Sequence, residues 1–95
     1  MTHTAIWNGK VIARSERTLE VDGYVYFPRE SVRMELLTAT PKTARDLHCP
    51  HGVQFYDLAE GDAISKRAAW SYEAPQARMK PVDHWVGFWE DVTIS

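Results

Sequence analysis

Ninety-five residues, 44% hydrophobic and 25% charged, make one globular domain (1–95) with room for a single core. The formal charge of -2 mixes both signs, with seven Lys/Arg and five Asp/Glu before Asp46 and four and eight from Asp46 onward, so no basic stripe points to a nucleic-acid polymer. One cysteine excludes an intrachain disulfide, the N-terminus lacks a signal-peptide pattern, and no apolar run approaches the roughly 20 residues that span a bilayer; no membrane association is expected, and the cytoplasm is the expected compartment.

The first element is the hairpin "AIWNGKVIA", where Asn8-Gly9 can adopt the positive φ angles of a tight turn. "TLEVDGYVYF" predicts two more strands around Asp22-Gly23, with Tyr24 and Tyr26 on one face and Val25 and Phe27 on the other. Pro28 opens a single helical turn to Val32, and "RMELLTA" reads as a short helix followed by a strand. "TPKTARDLHCPHG" reads as a loop. "VQFYDL" is a strand, and a turn near Glu60-Gly61 leads into the long strand "AISKRAAWSY", which places Trp70 and Tyr72 on one face. Pro75 to Pro81 reads as a linker-like loop. The last strands lie in "DHWVGFWEDVTI", where Gly87 signals a bulge or a close backbone approach. The class is all-β: two packed antiparallel sheets with little helix, with Trp7, Val11, Phe55, Trp70 and Phe88 expected in the core. A partly open barrel is the competing architecture.

The pieces "WNGKVIARS", "YVYFPRESV", "LLTAT", "HCPHGVQFYDL", "AAWSYEAP" and "VGFW", in this order and spacing, resemble the family called domain of unknown function 427, whose members are sometimes labelled nucleotidyltransferases. The resemblance covers nearly the whole chain and implies a β-tent-like architecture, two antiparallel sheets meeting at an angle around a groove. Relatives typically read Cys-Pro-aromatic-Lys-Gly at one loop. Here Cys49-Pro50 is followed by His51-Gly52, one residue shorter and without the lysine.

Four kinds of site can be weighed: a metal centre, a reactive thiol, an anion or nucleotide site, and the aromatic set of Trp7, Tyr26, Tyr56, Trp70, Tyr72 and Trp85, of which one or two are expected to line a groove. A structural zinc needs four ligands in paired spacing, which one cysteine and four histidines do not supply, so no metal and no cofactor are expected. Cys49 is a weak candidate nucleophile, because His48 points away along an extended chain and His51 reaches it only through a tight turn. No Gly-rich phosphate loop and no paired Asp-x-Asp supports nucleotidyl transfer. Arg29 and Arg33, four apart, could share a helical face toward an anion or could form a solvated face with Glu30 and Glu35. "SKR" at Ser65 to Arg67 reads as exposed strand or turn, and Glu90-Asp91 as a solvated turn.

The leading expectation is a small anionic ligand in the groove between the sheets. Tyr26, Arg29, Arg33, Cys49, His51 and Trp70 would line it, with His51 in place of the lysine that relatives keep. The alternatives are an enzyme acting there on a nucleotide or a thiol-reactive substrate, with Cys49 or His51 in the chemistry, and a protein-interaction module forming a homodimer through a sheet edge or aromatic patch.

Overall fold

Asn8 and Gly9 both hold positive φ, 53° and 75°, the pair that a two-residue hairpin turn requires. They join β1 (His3–Trp7) to β2 (Lys10–Ser15) in the computed structural model, which describes residues 2–95. Asp22 and Gly23, at 54° and 86°, repeat the device between β3 (Leu19–Val21) and β4 (Tyr24–Phe27). The 3-10 turns Arg29–Ser31 and Met34–Leu36 follow and lead into β5 (Leu37–Ala39). Gly61 turns β6 (Val53–Glu60) back into β7 (Ala63–Tyr72). The chain finishes with β8 (Val86–Phe88) and β9 (Thr93–Ile94).

These strands make two antiparallel sheets, one ordered β2-β1-β9 and one ordered β3-β4-β8-β7-β6-β5. The fold is all-β with two packed sheets and no barrel. Side chains of both sheets, including Trp7, Ile12, Phe27, Leu58 and Phe88, fill the space between them. The segment after β4 ties the sheets together, with Val32 bridged to Ala13 and Arg33 N–H donating to Ile12 O at 2.9 Å. No described helix is long and apolar enough to cross a membrane.

Two regions expected to be loop are helical. Thr43 caps α1 (Ala44–Leu47) through a reciprocal capping box, its Oγ1 accepting from Asp46 N–H while the Asp46 carboxylate accepts from Thr43 N–H. The stretch read as a linker contains a 3-10 helix, Ala77–Val82, that buries Met79 and Val82.

Of the expected core, Trp7, Trp70 and Phe88 are buried, Phe55 is half-buried, and Val11 is 46% exposed. Val11 is displaced by a bulge. Ala5 pairs with Ala13 and Ile6 with Val11, so Ile12 is the extra residue and turns inward in its place. A second irregularity decides the site. Tyr56 pairs with Ala69 but Leu58 pairs with Ser65, so Asp57 alone faces Lys66, Arg67 and Ala68. Arg67 sits in this bulge at φ 53°, with its N–H held by Asp57 Oδ1 at 2.8 Å.

Candidate functional site

On β4, β6 and β7 the residues that alternate away from the inter-sheet core are Tyr24, Tyr26, Val53, Phe55, Trp70 and Tyr72. Together with Trp89 they line a cavity of about 430 Å³. None of its lining residues belongs to β1, β2 or β9, so it lies on the outer face of the six-stranded sheet. The groove expected between the sheets is filled by the core and is not the cavity.

Trp70 is the floor. Its ring stands at 88° to Tyr24 with centroids 5.1 Å apart, at 90° to Tyr26 at 5.9 Å, and at 63° to Trp89 at 5.3 Å. These edge-to-face contacts match the ring quadrupoles and fix the walls. Trp70 has this room because its cross-strand partner is Gly87. A Cβ at Gly87 would lie 2.7 Å from Trp70 Cζ2, so the close backbone approach expected from the sequence is an aromatic ring lying across β8. Burial pushes the Tyr26 phenol well above its ordinary value, which keeps it a neutral hydroxyl.

The polar wall comes from α1 and from the bulge in β7. Arg67 Nη1 and Nη2 donate to the two carboxylate oxygens of Asp46 at 3.1 and 2.9 Å. The guanidinium carbon lies 3.9 Å from the centroid of the Phe55 ring, a cation–π contact that covers one face of its plane. Trp89 Nε1–H donates to the Arg67 carbonyl at 2.5 Å. Asp46 is 3% exposed, and its carboxyl is held down to about 2 by the hydrogen bonds from Arg67 and then by those from Thr43, against the opposing effect of burial. Arg45, Asp22 and the half-buried Cys49 complete the lining.

Tyr26, Cys49 and Trp70 therefore meet in one cavity, whereas Arg29, Arg33 and His51 are not among its lining residues. The 3-10 turn ends at Ser31 and Val32 is extended, so Arg29 and Arg33 share no helical face. Arg29 turns to Ser71 Oγ at 3.0 Å, Glu73 at 3.1 Å and the His84 carbonyl at 2.9 Å. Arg33 pairs with Glu35 at 2.9 Å. His51 lies behind the wall, its ring 5.2 Å from that of Tyr72, and its Nδ1 accepts from Gln76 N–H at 2.9 Å. His48 caps the C-terminus of α1. Among the described residues no group of three His, Cys, Asp or Glu side chains converges as a ligand set.

Arg67 and Asp46, like Tyr24, Phe55, Trp89 and Arg45, line the cavity without being among the expected site residues. Asp46 carried a legible signal, since Thr-x-x-Asp before an apolar residue is a capping box. Arg67 carried none, because a bulge two residues deep has no pattern in a single strand. Glu90-Asp91 is also more than a solvated turn: the Asp91 carboxylate accepts from the buried Ser65 hydroxyl, and its carboxyl is lowered mainly by that bond.

No curated protein matches the chain. The family model described as Domain of unknown function (DUF427) matches residues 2–94, and the chain belongs to that family.

Proposed function

We propose that the domain binds a small, anion-bearing aromatic molecule in the cavity on the outer face of the six-stranded sheet. One observation carries this reading. Arg67 is held at a left-handed backbone angle, packed on Phe55 and oriented by Asp46 at the edge of an aromatic box. A left-handed non-glycine residue costs about 1–2 kcal/mol, and such strain gathers where a side chain has work at a site. Two of its five N–H donors serve Asp46, which leaves three for a ligand. A binding reading is favoured over a catalytic one because neither histidine near Cys49 is joined to it as a base, His51 having committed Nδ1 to Gln76.

The test is a thermal-shift screen of small anionic and neutral aromatics, followed by tryptophan fluorescence titration, since Trp70 and Trp89 both line the cavity. A ligand at 100 times its Kd should stabilise the fold by about 2.7 kcal/mol. Arg67→Gln should weaken its binding by more than about tenfold, because a charge-assisted hydrogen bond contributes about 1.5–3 kcal/mol. Arg29→Gln and His51→Gln should change it by less than about twofold. Equal losses in all three variants would refute this placement of the site.

A further inference from the structure

The charges around the cavity select among anions. Arg67 is balanced by Asp46, and Asp22 by Arg78 at 2.5 Å, so among the described lining residues Arg45 alone keeps an uncompensated charge. A monoanion neutralises that balance, whereas a phosphate dianion overshoots it beside two carboxylates. Geometry narrows the choice again. Asp46 takes the end-on fork of Arg67, one N–H from each Nη. Nε–H and the adjacent outer Nη–H then form a second fork, side-on and in the plane of the guanidinium. That plane is fixed by Phe55 at 3.9 Å on one face and by Asp46 at the tip. Two parallel coplanar N–H bonds match the two oxygens of a planar carboxylate.

We infer that the ligand is an aromatic monocarboxylate, its ring against Trp70, Tyr24 and Trp89 and its carboxylate on the side-on fork of Arg67, with Asp46 as the residue that positions the fork. This rests on the function proposed above and adds the ligand class. Arg45, exposed on the first turn of α1, supplies the balancing charge from the rim.

Three probes of one ring system test it by calorimetry on the intact protein: 2-naphthoate, 2-naphthyl phosphate and 2-naphthamide. The expected order places naphthoate at least about tenfold tighter than either of the others, the span of one charge-assisted bidentate contact. Asp46→Asn then separates positioning from bulk charge. The substitution makes the cavity more positive by one unit, so naphthoate should tighten if net charge alone governs and should weaken by about tenfold if Asp46 orients the fork. Arg67→Lys keeps the charge and removes the planar fork, and should narrow the preference for naphthoate over naphthamide without abolishing it. It serves as the second variant if Asp46→Asn does not give a cooperative thermal transition. Phosphate binding as tightly as carboxylate, or tighter binding in Asp46→Asn, would overturn the carboxylate assignment while leaving the aromatic-anion site standing. An amide that binds as tightly as the carboxylate, or the absence of heat from all three probes, would overturn the site together with the assignment.

Discussion

Trp70→Ala is expected to lower the unfolding free energy by about 3–5 kcal/mol, the range for deleting a large aromatic side chain from a packed interior. The ring is 4% exposed and touches Tyr24, Tyr26, Phe55 and Trp89, so its removal leaves four aromatic neighbours facing a void that the sheet cannot close. The same ring explains Gly87. A methyl there would meet Trp70 Cζ2 at 2.7 Å, Cε2 at 2.9 Å and Cη2 at 3.2 Å. Gly87→Ala alone should therefore cost about 1–3 kcal/mol through overpacking. A phenylalanine ring in the same place lacks Cζ2 and Cη2 and keeps a ring carbon near the position of Cε2. In a Trp70→Phe background Gly87→Ala should cost clearly less than in the parent, a coupling that urea unfolding of the two single variants and the double variant would measure. Simple additivity would show that Gly87 serves another need.

Asp46→Ala is expected to cost about 2–3 kcal/mol at neutral pH, and the cost should depend on acidity. The carboxyl is held near 2 in the fold against an ordinary 3.8, so the folded state favours the ionised form. That contribution is complete above about pH 5 and disappears as pH falls from about 4 through 2. The shift corresponds to about 2.5 kcal/mol. The Arg67 side chain is 36% exposed, and screening should reduce this to about 1–2 kcal/mol. The Thr43 bonds are part of that shift, and what survives protonation, because the neutral acid still accepts from Thr43 N–H, is about 1 kcal/mol. Denaturant unfolding of both proteins between pH 2 and 7 should show the difference narrowing toward about 1 kcal/mol at the acid end. A difference that stays constant would mean that the charge on Asp46 contributes nothing to the fold.

The turns were legible because they rest on chemistry local to two residues. Asn8-Gly9 and Asp22-Gly23 announce left-handed backbone wherever they stand. The shared face of Trp70 and Tyr72 was legible for a related reason, since strand alternation holds over any uninterrupted stretch. Alternation failed where an extra residue entered. Ile12 took the inward place expected for Val11, and Arg67 was turned onto the outer face from a segment that reads as exposed strand. A bulge is a relation between two strands, so neither strand alone encodes it visibly. The cavity lining was legible in part: Tyr26, Trp70 and Cys49 are expected from position along the chain, whereas Tyr24, Phe55 and Trp89 are not, and the Asp46–Arg67 pair exists only after α1 has folded over β6 and β7.

The pairing of β1 with β9 bears on how the molecule assembles. Ala5 stands opposite Ile94, and Thr4 and Ser95 exchange backbone hydrogen bonds of 2.9 Å, so the middle strand of the smaller sheet has one neighbour nearby in sequence and one at almost the greatest separation the described chain allows. The Asn8-Gly9 hairpin can close in about 1–10 μs from local contacts. Docking β9 requires the ends of a very long loop to meet, with an entropy cost that only an already collapsed larger sheet can offset. The smaller sheet is therefore completed late, and its outer strand is the natural first point of opening, at a distance along the topology from the face that carries the cavity.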